Sequence, residues 1–220
     1  MHIQENLQHI KSTLPNHVTL VAVSKTKPVS DLMEAYNAGQ RIFGENKIQE
    51  MVEKYEAMPK DIEWHMIGHV QRNKVKYMAG FVSLIHGVDN FKLLLEINRQ
   101  AKRYRRVINC LLQIKIAAED SKFGMTASEA SEILKSEAFS ELKNVQIVGV
   151  MGMATFTENE NQIKKEFTLL KTVFDDLKSI KTFNFKPETI SMGMSGDYTL
   201  AIDCGSNMIR VGSSIFGERL

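Results

Sequence analysis

Val18-Thr-Leu-Val-Ala-Val-Ser24, followed at once by Lys25-Thr-Lys-Pro28, is an apolar, β-branched run that stops on a lysine. Such a run reads as a buried strand. In a closed parallel barrel its carboxyl end would lie on the face where these barrels keep their chemistry. A lysine held there beside low-dielectric walls can shed its proton and attack a carbonyl. A lysine at a strand end is by itself more commonly a solvated one, so the rest of the chain has to decide.

Outward from this strand, apolar β-branched runs alternate with amphipathic stretches along the whole chain, the pattern of successive β-α units on a parallel sheet. Strands are read at 18–24, 41–44, 63–68, 82–87, 110–116, 145–151, 189–192 and 208–211, the second and seventh being short. Helices are read at 4–13, before the first strand, and at 161–180. Between them, Ser30 precedes a helix over 31–36 closed by Gly39, and Asn46 with Gln49 has capping-box spacing, as does Thr126 with Glu129. Eight strands with intervening helices predict an α/β fold, a single (β/α)8 TIM-type barrel with an extra N-terminal helix. An open doubly wound sheet is the alternative. No linker divides the chain, so residues 1–220 read as one domain.

With 220 residues, 43% of them apolar, 25% charged and 4 proline, the chain is long enough for one substantial core and shows no sign of disorder. A formal net charge of +2 argues against a protein built to neutralise nucleic-acid phosphates. The basic cluster Arg99-Gln-Ala-Lys-Arg-Tyr-Arg-Arg106 follows a helical run and reads as a solvated helix end placed well against the dipole. Cys110 and Cys204 sit in or beside apolar segments, where no disulfide or metal role is expected. The first residues lack the pattern of a leader, and no apolar run reaches membrane-spanning length, so a cytoplasmic address without a membrane partner is expected.

Near the carboxyl terminus come Ser191-Met-Gly-Met-Ser-Gly-Asp197 and then Gly205-Ser-Asn-Met-Ile-Arg-Val-Gly-Ser-Ser-Ile-Phe-Gly217. Glycines let the backbone approach an anion, hydroxyls add donors, and the start of a following helix supplies aligned amides. Either segment alone reads as a tight turn. Together, after the proposed seventh and eighth strands, they suggest the phosphate site that barrels often carry there. They contain neither a P-loop lysine nor a dinucleotide fingerprint. A carbonyl-reactive lysine at one strand end and a phosphate cradle across the barrel mouth match the two ends of pyridoxal 5'-phosphate. Arg210, just before the cradle, would reach the pyridine nitrogen. A permanent cation there keeps that nitrogen unprotonated and weakens the ring as an electron sink.

V-A-V-S-K-T-K-P at Val21, F-G-E-N at Phe43, W-H-M-I-G-H-V-Q-R-N-K at Trp64, S-K-F-G-M at Ser121, S-M-G-M-S at Ser191 and the glycine-serine run from Gly205 together resemble the YggS/PROSC family of pyridoxal phosphate homeostasis proteins. The resemblance covers nearly the whole chain. It implies the barrel of the alanine racemase amino-terminal domain, called fold type III among pyridoxal phosphate enzymes. It also implies a protein that holds and hands on the cofactor without a robust reaction of its own. Carried over by matching motifs, it puts the cofactor aldimine on Lys25, phosphate contacts on Ser191, Gly212 and Ser213, and the pyridine contact on Arg210. Asn46 is expected either to face the cofactor or to cap a helix. Met66 and Lys47 depart from the residues usual in the family, which touches only the packing of the walls.

Remaining candidates read as structural. His65 and His69 flank a strand and would diverge rather than share a metal, and Asp197 reads as support for the first turn of a helix. Of the 12 methionines, Met151 and Met153 could pack near a planar ring. No catalytic residue and no metal ligand is assigned. The enzyme alternative is an amino-acid racemase, which needs two acid/base groups on opposite faces of the ring. Alanine racemase draws the second, a tyrosine, from a further β-domain for which no residues are expected after the eighth strand. Without that domain a monomer is expected, with pyridoxal-phosphate-dependent apo-enzymes as candidate partners. A Schiff-base aldolase using Lys25 without a cofactor is a third reading.

Overall fold

The computed structural model describes residues 3–119 and 123–218. Eight strands, β1 (Thr19–Val23), β2 (Ile42–Glu45), β3 (Glu63–Met66), β4 (Leu84–Val88), β5 (Ile108–Gln113), β6 (Val145–Met151), β7 (Phe185–Ser191) and β8 (Met208–Val211), form a closed parallel barrel in sequence order. β1 pairs with β2 on one side and β8 on the other, with Val21 opposite Arg210 and Ala22 opposite both Phe43 and Val211. The doubly wound alternative is therefore excluded, because an open sheet has two unpaired edges.

The helices are α1 (Ile3–Thr13), α2 (Val29–Asn37), α3 (Ile48–Ala57), α4 (Val75–Met78), α5 (Phe91–Arg103), α6 (Ala127–Lys135), α7 (Glu137–Ser140), α8 (Glu160–Leu177), α9 (Tyr198–Asp203) and α10 (Ser213–Phe216). A 3-10 turn at Arg72–Lys74 leads into α4. The extra helix α1 packs against α2 and α10, and Asn6 Nδ2 donates to the Ile215 carbonyl at 3.1 Å.

Side-chain alternation along each strand sorts the apolar residues into two layers. Val21, Leu84, Leu111, Met151 and Met208 pack together inside the barrel. Their neighbours Leu20, Ala22, Cys110, Leu112 and Ile209 pack outward against Leu32, Met51, Leu93, Phe167 and other helix residues. Strands buried on both faces explain why the sequence reads as unbroken apolar runs. Each fully buried large apolar side chain, such as Phe43 or Phe139, contributes about 1.5–3 kcal/mol relative to its exposure.

Two helix-end readings hold. Thr126 and Glu129 form a reciprocal capping box, and Gly39, at φ +90°, follows the end of α2 in the left-handed conformation that favours glycine. Two need correction. α2 begins at Val29 behind Pro28, so Ser30 lies inside the helix, and α3 is preceded by Lys47 with no side-chain cap, so Asn46 does not cap it. Asn90 and Asn159, not singled out in the sequence, cap α5 and α8. β7 begins at Phe185, four residues earlier than read, because Lys186 and Glu188 face solvent and hide the strand. At Gly149, φ +155°, the β6 register shifts, and a Cβ would lie 1.8 Å from the Thr189 carbonyl oxygen, so no other residue fits.

Candidate functional site

A cavity of about 600 Å3 opens at the carboxyl ends of the strands. Lys25, Asn46, Arg210, Gly212 and Ser213 all line it, together with Ser195. Because β1 and β8 are neighbours, Lys25 and the Gly212–Ser213 turn leave adjacent strand ends. The expected position of the glycine-serine turn across the mouth is thus corrected to one beside the lysine.

Ser191 does not reach the cavity wall. It lies at the end of β7, fully buried, with its hydroxyl inside the barrel. Arg210 NH1 donates to Ser191 Oγ at 2.5 Å and its NH2 donates to the Gly152 carbonyl at 3.1 Å. Ser191 Oγ also lies 3.0 Å from His86 Nδ1, and His86 Nε2 lies 3.1 Å from His65 Nδ1. A guanidinium only donates, so the serine accepts from Arg210 with one lone pair and keeps its own proton and its second lone pair for His86. His86 and His65 share one proton between Nε2 and Nδ1, whichever ring donates. One cation thus heads a column of four buried side chains. Burial drives the His65 pKa down to about 3. Burial, then the fields of His65 and Arg210, holds His86 well below its usual range, so both rings are neutral. Burial also lowers Arg210 to about 10, against the opposing pull of Asp197, which leaves it cationic at neutral pH.

The turn after β7 is built for close approach. Gly193 has φ +97°, and a Cβ there would meet the Ala201 Cβ at 2.7 Å. Its carbonyl accepts from the Arg210 amide at 3.0 Å, and the Gly212 amide donates to Ser195 Oγ at 3.1 Å, tying the two glycine-serine segments together. Asp197, expected to support the helix after it, makes no side-chain cap there and instead accepts from the Met194 amide at 2.6 Å. The first-turn amides of α10 at Ser213 and Ser214 have no acceptor within their own helix.

Asn46 presents a different feature. Its Oδ1 is buried without a hydrogen-bond partner, although the residue lines the cavity. A buried acceptor left unpaired is costly, and a polar ligand would relieve it.

On the far wall, Glu166 accepts from the Thr155 amide (2.6 Å), Thr155 Oγ1 (2.7 Å) and the Ala118 amide (3.2 Å), bracing the loops after β5 and β6. Burial pushes its pKa up, but these bonds outweigh burial and the net shift is downward. His69 pairs with Asp89 at 3.3 Å and stacks on Phe123, away from His65, so the two histidines do diverge. Met153 lines the cavity, whereas Met151 belongs to the barrel interior. Ser121 and Lys122 of the S-K-F-G-M motif lie outside the described residues.

Sequence reasoning missed His86, Lys54 and Glu166. For His86 a signal existed, because it is in register with the inward-facing Leu84 of the same strand. Lys54 and Glu166 look like ordinary polar positions of amphipathic helices, and nothing local marks them.

The barrel and its cavity define a protein of the alanine racemase amino-terminal class. The family described as alanine racemase, N-terminal domain, matches residues 1–220. Within that class the chain belongs to the family of pyridoxal phosphate homeostasis proteins. It is 37% identical over 205 residues to the pyridoxal phosphate homeostasis protein of Aquifex aeolicus, covering 93% of this chain and 88% of that one. The Schizosaccharomyces pombe protein of the same name is 39% identical over 206 residues, covering 92% and 85%. Among solved structures, PipY of Synechococcus elongatus with PLP bound superposes with a TM-score of 0.88 at 33% identity, covering 98% of this chain and 100% of that chain. An alanine racemase from E. faecalis has a TM-score of 0.78 at 17% identity, covering 99% of this chain and 58% of that one, a likeness of fold alone.

Proposed function

We propose that this chain holds pyridoxal 5'-phosphate as covalently attached cargo and hands it on to apo-enzymes that depend on it, as a cytoplasmic monomer without a robust reaction of its own. The observation that carries the reading is the shared cavity, in which Lys25 and the Gly212–Ser213 turn leave adjacent strand ends with the Arg210 guanidinium nearby. The residues suit the group. Lys25 supplies the amine for attachment to the aldehyde. The Ser213 and Ser214 amides and the Ser213 hydroxyl suit the phosphate, and Asn46 offers a polar atom that is otherwise stranded. Ser191 would serve this site through Arg210, holding in place a guanidinium of the cavity lining, rather than through the phosphate.

When bound, the cofactor supplies an electrophilic carbon and a ring able to draw electrons from it. Arg210 limits the second capacity. It retains its proton near neutral pH, has none to spare for a pyridine nitrogen, and is locked in place by Ser191 and the Gly152 carbonyl. A site tuned in this way favours retention over strong carbanion chemistry.

The test is an absorption spectrum of the protein mixed with cofactor, then borohydride reduction and peptide mapping. The wild-type chain develops a near-visible band, reduction fixes the label on Lys25, and Lys25→Ala removes the band. A colourless wild-type protein refutes the reading. Sustained isomerisation of L-alanine by purified protein would favour the racemase instead.

A further inference from the structure

Beneath the start of the Lys25 turn lies an ion cluster whose residues are not part of the cavity lining. Lys54, from α3, is buried, with its side chain 6% exposed, and its ammonium spends all three donors. They go to the Ser24 carbonyl at 2.7 Å, Glu45 Oε1 at 2.8 Å and Glu50 Oε1 at 2.7 Å. Ser24 Oγ donates to the same Glu45 oxygen at 2.6 Å, and Glu50 Oε1 also accepts from the Thr26 amide at 2.6 Å.

The two main-chain groups gripped here are the peptides on either side of the Lys25 α-carbon, namely the Ser24 carbonyl before it and the Thr26 amide after it. Thr26 has φ +65°, a region that a β-branched residue rarely enters. Such a conformation persists only where its surroundings over-determine it, and a short charge-assisted bond from Glu50 does that. A buried ion pair is a poor way to gain stability, since well-packed apolar residues commonly do as well or better. Here the cluster leaves Glu45 Oε2 buried and without a partner. An arrangement that is costly for stability yet holds both peptides of one residue is better explained by what it does to that residue.

We propose that Lys54 and Glu50, with Glu45 as their buried anchor, are positioning residues that fix the main chain of Lys25 so that its amine is presented to the cavity. The proposal rests on the cofactor reading above.

The experiment compares wild type, Lys54→Met, Glu50→Ala and Glu50→Gln in three measurements. The first is the rate at which the attachment band grows on mixing with pyridoxal 5'-phosphate. The second is affinity for pyridoxine 5'-phosphate, which carries the phosphate and ring without the aldehyde. The third is hydrogen exchange of the Thr26 amide in cofactor-free protein. Glu50→Ala is expected to attach at least tenfold more slowly, to bind pyridoxine 5'-phosphate within twofold of wild type, and to exchange the Thr26 amide at least tenfold faster. Glu50→Gln, which retains an oxygen acceptor, is expected to recover attachment to within threefold of wild type. Lys54→Met should behave like Glu50→Ala, and if it fails to fold, Glu50→Ala decides alone. The positioning role is overturned if Glu50→Ala attaches within twofold of wild type, or if pyridoxine 5'-phosphate binding falls in parallel with attachment. A wild-type chain that forms no reducible bond at Lys25 instead refutes the cofactor reading itself, and is recognised without any variant.

Discussion

Ser191→Ala separates two roles for one hydroxyl. In the structure this oxygen accepts from the Arg210 guanidinium and lies within hydrogen-bond reach of His86, and all three residues are buried. Alanine would strand a guanidinium N–H and an imidazole ring nitrogen away from water. Unmade bonds of this kind cost roughly 1–3 kcal/mol each, more for the charged donor, so the sum is about 3–5 kcal/mol. For a chain of this size that lowers Tm by about 10 °C, at roughly 2–4 °C per kcal/mol. The assay is urea denaturation of cofactor-free wild type and variant, compared at equal slope. A serine that only touched a phosphate would behave in the opposite way, leaving the empty protein as stable as before while weakening phosphate-ester binding. A loss below about 1 kcal/mol, with pyridoxine 5'-phosphate binding impaired, would refute the buried column.

The remaining predictions concern pH and the cavity walls. His65 and His86 are held below the ordinary 6.5 in the fold, so the unfolded chain takes up protons that the folded one refuses. Stability is then greatest above 6.5 and falls as pH drops toward 3, by about 2 kcal/mol between pH 7 and 5 for His65, with His86 acting in the same direction. Equal denaturation midpoints at those two pH values would contradict this. Glu166, lowered by its bonds, stabilises the fold above its unfolded value of 4.5 and loses that contribution below it. Glu166→Gln should speed amide exchange at Thr155 and Ala118, and unchanged exchange would show that the brace is idle. Arg210→Ala and Ser213→Ala should each hasten cofactor release while leaving a borohydride-reducible bond. Unchanged dissociation rates in both would mean that the cradle lies elsewhere.

The barrel was legible because it rests on local signals repeated eight times, and β1 shows why, with its apolar run ending in a lysine. Lys25, Arg210 and the glycine-serine turns were legible too, since strand ends and glycine clusters are visible in one dimension. What escaped depends on contacts between distant segments. Ser191 was expected among phosphate contacts because it opens a glycine-rich turn. It points inward instead, since the pleat puts it on the inner face with Met208, its register partner, and within reach of Arg210 two residues further on. Asn46 has the spacing of a cap, yet Lys47 precedes α3 and the asparagine faces the cavity. Lys54 joins residues 24, 45 and 50, and no periodicity announces such a meeting.

The lysine turn and the glycine-serine turn follow the first and last strands, which meet edge to edge where the sheet joins itself. The two halves of this wall come together only when the final strand has docked against the opening one. A small molecule touching both turns therefore recognises the finished cylinder and not its parts, and acts as a rivet across the join. Its occupancy should raise resistance to unfolding in step with the logarithm of its concentration, most of all at the join held by Val21 and Arg210.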